Sequence, residues 1–148
     1  MIQLEEFAVS GVFGTWTPGA DRASVLADLG EPDAFQRQRR AMPALAKYGD
    51  IELRFFDDVL IHISIVFWDG KPPDGGGVSL AGFWPDARRS IGAVADLLTA
   101  QGAGWRIDEA MAELYPDDDS PAWITDRGVW LSFSHGQLEK LSMDQSTS

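Results

Sequence analysis

The chain has 148 residues, 45% of them hydrophobic and 11% aromatic, with 23 acidic side chains against 12 basic ones and a formal net charge of −11. That content suits one globular domain with a sizeable core, and no stretch reaches the about 20 apolar residues of a membrane-spanning helix. The acidic balance argues against binding nucleic acid, which needs clustered Lys and Arg, and the lack of cysteine excludes disulfides, thiolate metal sites and a cysteine nucleophile.

In chain order, Glu5 and Glu6 follow Met1 without the basic and apolar signature of an export signal, which points to the cytosol. The apolar residues between Ile2 and Phe13 suit an edge strand. A helix is predicted over about residues 18–29, with Thr17 and Pro18 as N-cap and first position, Val25, Leu26 and Leu29 as its apolar stripe, and Gly30 and Pro32 as its stop. In the segment 33–47, Phe35, Arg37 and Arg39 alternate with Gln36, Gln38 and Arg40, and Pro43 forbids a continuous helix, so it reads as extended.

Tyr48-Gly49-Asp50 leads into a clear hairpin. Ile51, Leu53 and Phe55 point one way and Glu52 and Arg54 the other; after a turn at Asp57 and Asp58, Ile61, Ile63, Ile65 and Phe67 alternate with His62, Ser64 and Val66. The Gly/Pro-rich run 69–77 reads as a linker, and Val78 to Trp84 suits a further strand. Ser90 caps a second helix with Ile91, Val94, Leu97 and Leu98 on its inner face, stopping near Gly102 and Gly104. Trp105 to Tyr115 fits strand alternation at its start and helical spacing through Ile107, Met111 and Leu114, so both remain open there. Trp123 to Thr125, Val129 to Phe133 and Leu138 to Met143 read as strands, with His135 and Gly136 in the last turn.

One pattern occurs twice. Ile51, Leu53, Phe55, Leu60, Ile63 and Ile65 recur 78 residues on as Val129, Leu131, Phe133, Leu138, Leu141 and Met143. The expected fold is α+β: one domain, 1–148, of two tandem helix-plus-hairpin units, about 14–68 and 88–143, whose helices cover one face of an antiparallel sheet. The outward positions of the two copies differ: Glu52 against Trp130, Arg54 against Ser132, His62 against Lys140. Trp68 and Trp84, at the ends of the linker, are expected to pack between the two half-cores.

The order of helix, Leu29-Gly30-Glu31-Pro32, polar segment, Tyr48-Gly49, strand, turn and strand resembles the repeat of the beta-lactamase inhibitory protein family and its outer-membrane assembly lipoprotein relatives. The resemblance implies a concave sheet face presented to a protein partner, corresponding here to Glu52, Arg54, His62, Ser64, Trp130, Ser132, Lys140 and Ser142. The inhibitors are disulfide-bonded and the lipoproteins carry a lipidated cysteine; this chain has no cysteine. In size, charge and lack of catalytic motifs it also resembles small acidic immunity proteins encoded beside bacterial toxins, which implies a protein that occludes or distorts a toxin domain, its acidic side chains meeting basic ones if the toxin is a nuclease.

Chemistry-bearing constellations are sparse. The two histidines, His62 and His135, do not superpose in the repeat, and no serine has nucleophile-elbow glycines around it. Asp57-Asp58 and Asp117-Asp118-Asp119 lack the spacing of a calcium loop and read as solvated turns, and Gly75-Gly76-Gly77 lacks the Gly-Lys-Ser/Thr ending of a phosphate loop. No catalytic residue, metal or cofactor is expected. Trp130 is the anticipated interface anchor, with Glu52, Arg54, His62, Ser132 and Lys140 around it and Asp57 and Asp58 on the adjoining turn; the leading function is an immunity-type inhibitor. The alternatives are a regulatory scaffold with the same face, and a small-molecule binder or enzyme with a pocket near Arg37, Arg39 and His62.

Overall fold

A computed structural model describes residues 1–114 and 119–145. The strands β2 (Ala34–Gln36), β3 (Ala44–Tyr48), β4 (Ile51–Phe56), β5 (Val59–Val66), β7 (Trp105–Ile107), β8 (Ala122–Thr125), β9 (Val129–Ser134) and β10 (Gln137–Asp144) form one antiparallel sheet. Its order is β2-β3-β4-β5-β10-β9-β8-β7, so the two hairpins lie side by side at the centre. A separate parallel pair joins β1 (Ile2–Gln3) to β6 (Leu80–Ala81). The α-helices are α1 (Leu4–Ser10), α2 (Arg22–Leu29), α3 (Ile91–Ala100) and α4 (Glu109–Leu114), with one turn of 3₁₀ helix at Asp86–Arg89.

One face of the sheet carries the core. Ile51, Leu53, Phe55, Ile63, Ile65, Val129, Leu131, Phe133 and Leu141 are buried there against Leu4, Phe7 and Ala8 of α1, Val25 of α2, and Val94 and Leu98 of α3. Each of the Val, Leu, Ile and Phe side chains among them contributes about 1.5–3 kcal/mol on leaving water. Mixed α/β architecture with a large antiparallel sheet follows from strands that have a single apolar face to cover.

The central hairpins share more than their apolar pattern. Both turns place two consecutive residues at positive φ, Asp57 and Asp58 in one and His135 and Gly136 in the other, the backbone that two-residue hairpin turns require. Both second strands bulge one residue after the first buried leucine: Phe55 pairs with Leu60 but Arg54 with His62, and Phe133 pairs with Leu138 but Ser132 with Lys140. The bulged residues are Ile61 and Glu139. Each helix also starts against its hairpin in the same way, with the N-cap residues Asp21 and Ser90 bridging Val59 and Gln137. Between the hairpins Ser64 pairs with Ser142; two rungs away in one direction His62 meets Asp144, and two in the other Val66 meets Lys140.

Several local expectations are corrected. The N-terminal segment is mostly helix, because Leu4, Phe7 and Ala8 sit one turn apart on a face that is fully buried, and Gly11 ends it at φ 76°. Helix α2 begins at Arg22 and not near residue 18: Asp21 accepts from the Ser24 N–H at 3.1 Å and is the actual N-cap. Leu60 takes the inward place expected for Ile61, because the bulge shifts the alternation by one residue. The residues 105–114 supply both a strand and a helix, and only Leu80–Ala81 of the stretch 78–84 is strand.

The Gly/Pro-rich run is docked against the β3–β4 turn. Asp50 N–H donates to the Asp74 carbonyl at 2.6 Å, and Gly49 N–H donates to Asp33 Oδ2 at 2.7 Å. Gly49 has φ 57°, and a Cβ there would lie 2.5 Å from the Asp74 carbonyl oxygen, so both the conformation and the close approach require glycine.

Candidate functional site

The opposite face of the sheet is the candidate site. Along β4 and β9 buried residues alternate with half-exposed ones, so Glu52 and Arg54, and Trp130 and Ser132, project away from the helices. The register aligns Trp130 with Ser142 on one neighbour and Ile124 on the other, Ser64 with both Ser142 and Glu52, and Glu52 with Lys47. A row thus crosses the sheet from Trp130 over two serines to Glu52. Ser64 is only 2% exposed, so the larger side chains around it close over it.

His62, Arg54 and Lys140 lie on the same face. His62 Nδ1 is 2.5 Å from Asp144 Oδ1 across the β5–β10 seam, which fixes the ring between the two hairpins. Arg54 is 3.8 Å from Glu52 and half exposed; such a surface pair adds little stability and is free to re-pair with a partner. Lys140 pairs with Val66 and Ser132 on its two sides.

Asp57 and Asp58 are placed elsewhere, at the tip of the β4–β5 hairpin. Asp57 exchanges hydrogen bonds with the Gln38 side chain, and Asp58 is 3.1 Å from Arg22 at the start of α2. They staple the hairpin tip to its surroundings. Asp117 and Asp118 lie outside the described residues.

The face is bordered at one side by α4, none of whose side chains is buried. Met111 of α4 lines a groove of about 410 Å³ with Val66, Ser132 and Lys140. Arg37, Arg39 and His62 do not line it, so the pocket anticipated around those three is not found there. Among the described residues no group of three or more His, Asp or Glu is placed to hold a metal ion, and no helix is long and apolar enough to cross a membrane.

Two features escaped the sequence. Trp68 and Trp84, expected between half-cores, are 57% and 39% exposed; Trp68 is tethered by its indole N–H to Asp50 Oδ1 at 2.9 Å, a partner the alternation of apolar residues cannot signal. Arg89 is 1% exposed, bonded to Asp86 and to the carbonyls of Trp68 and Leu138, with its guanidinium 5.6 Å from the Phe67 ring centre. That hydrogen bond from Arg89 is the main reason the Asp86 carboxyl is held below its ordinary value. Tyr48, in contrast, is pushed up, first by burial and then by the Asp33 charge, while its hydroxyl donates to the Gly30 carbonyl at 2.7 Å.

Neither a family model, nor a curated protein, nor a solved structure matches the chain.

Proposed function

We propose that the chain is a non-enzymatic, cytosolic protein-binding module, an immunity-type inhibitor that neutralises a bacterial toxin or enzyme by covering it with the helix-free face of its sheet. The observation that carries the reading is the make-up of that face: half-buried Trp130 at one end of a row that crosses Ser142 and Ser64 to Glu52, with Arg54, His62 and Lys140 around it. Large aromatic and Arg side chains dominate binding energy at interfaces. The net charge of −11 favours a basic partner through long-range steering.

The chain is read further as two copies of one unit. Matching turns, matching bulges and matching N-cap bridges support this, as does the seam: shifting Ser64 by 78 residues gives Ser142, its own pairing partner. A local two-fold through that rung relates the copies. The Leu29-Gly30 and Tyr48-Gly49 elements of the resemblance to the beta-lactamase inhibitory proteins meet through the Tyr48–Gly30 hydrogen bond.

Co-expression with the product of an adjacent toxin gene tests the reading. Wild type is expected to form a stable complex and abolish toxicity, with Trp130→Ala weakening the complex by about tenfold or more, the scale of a hot-spot truncation. Full protection by a variant carrying both Trp130→Ala and Arg54→Glu would exclude this face. Binding to a host protein, with no effect on any neighbouring toxin, would favour a regulatory scaffold instead.

A further inference from the structure

Beside the open face, Trp68 presents an aromatic surface to solvent although it is held at two points. Its indole N–H donates to Asp50 Oδ1 at 2.9 Å, and its carbonyl accepts from Arg89 at 3.3 Å. An exposed tryptophan so fixed loses little entropy when something lands on it, and its π-face is the strongest side-chain platform for a cation.

A cavity of about 400 Å³ adjoins it, lined among others by Asp69, Ser134, Gln137 and Glu139. Asp69 and Glu139 are exposed carboxylates that make no salt bridge among the described residues. Glu139 is the bulged residue of β10, and its carbonyl accepts from the Phe67 N–H at 2.8 Å, which anchors the bulge next to Trp68. A bulge re-aims the side chain it carries. Arg89, behind the cavity, is paired with Asp86 and so does not cancel the two free carboxylates.

We propose that Trp68 and this acidic cavity form a receptor for one arginine side chain of a basic polypeptide. The guanidinium stacks on the Trp68 ring and directs its fork of N–H donors at Asp69 and Glu139; lysine offers neither the plane nor the fork. The site rests on the reading of the chain as a protein-binding module, and it extends that reading: Ser134 and Glu139 also line the groove beneath α4, so the receptor lies at the rim of the same face. An arginine anchored here places the adjoining partner backbone over that groove.

The test uses N-acetyl-arginine methylamide as the probe and its neutral citrulline isostere as the control, titrated into the isotope-labelled full chain and followed by NMR. The Trp68 indole N–H, assigned with Trp68→Phe, is expected to shift saturably with the arginine probe at millimolar affinity. An Asp69→Asn, Glu139→Gln double variant, which removes charge without emptying any core position, is expected to bind about tenfold more weakly, and raised salt to weaken wild type by several fold. An equal response to citrulline, or unchanged affinity in the double variant, overturns the proposal. Trp130→Ala is expected to bind the probe as wild type does. Probe binding without inhibition of any toxin would therefore fail the functional reading alone, and a toxin complex formed by a chain that ignores the probe would fail only the receptor.

Discussion

The hairpins β4–β5 and β9–β10 have the same apolar pattern inward, the same turn backbone and the same bulge, and apart from Ser64 and Ser142 differ on their outward side. Inward, Ile51, Leu53 and Phe55 correspond to Val129, Leu131 and Phe133, all buried. Outward, Glu52 and Arg54 correspond to Trp130 and Ser132, all half-exposed or more. The difference separates two kinds of constraint, since the inner positions must fill one shared core whereas the outer ones are free of it.

The largest effect tests whether the two hairpins bear the core equally. Ile63 and Leu141 are corresponding residues on the central strands, both fully buried. Ile63→Ala and Leu141→Ala should each cost about 2–5 kcal/mol in denaturant unfolding. A cost near zero at one of them would mean that the copies contribute unequally. Next comes Arg89, which lies just before the N-cap Ser90, where the other unit has Ala20 before Asp21. Arg89→Ala should cost about 2 kcal/mol or more, because it removes charged hydrogen bonds to two carbonyls. It should also change the acid limb. With its folded pKa lowered, Asp86 contributes stability that is present above the ordinary carboxylate range near pH 4 and is lost as pH falls through the lower folded value. The variant should show less of that loss in unfolding curves taken from neutral to acid pH.

The helix starts provide a finer comparison. Asp21 accepts from Ser24 N–H and Ser90 from Ala93 N–H, both at 3.1 Å; alanine at either should cost about 1 kcal/mol in thermal or chemical unfolding. The smallest effect makes one turn like the other. Asp58 has φ 65° where its counterpart is Gly136, so Asp58→Gly should gain about 0.5 kcal/mol by relieving the left-handed backbone, after the loss of an exposed pair with Arg22. A net loss would show that the Arg22 contact outweighs the backbone term.

The hairpins were legible in the sequence because alternation, turn residues and the 78-residue offset agree there. The bulges were not, since inserting one residue into Leu60-Ile61 leaves an apolar residue at either candidate inward place. The start of α2 was misplaced because Thr17-Pro18 imitates a cap, while the real one, Asp21, is fixed by a bridge to Val59 far along the chain. Helix α1 was missed because its seven residues are too few to separate helical from strand spacing with Ile2 and Leu4 adjoining. At the candidate site the outward residues of the hairpins could be read off the alternation. The exposure of Trp68 could not, because it depends on how the run 69–77 docks and on Asp50 across it.

The Ser64–Ser142 rung has a consequence for recognition. A face that a half-turn maps onto itself would offer any visitor two equivalent poses, and so no preference between a productive and an inverted complex. In the proposed two-fold arrangement the half-turn exchanges Trp130 with Glu52 and Lys140 with His62, so a partner that buried an apolar ridge against the tryptophan would, inverted, press it onto a carboxylate. The backbone poses the ambiguity and the side chains resolve it.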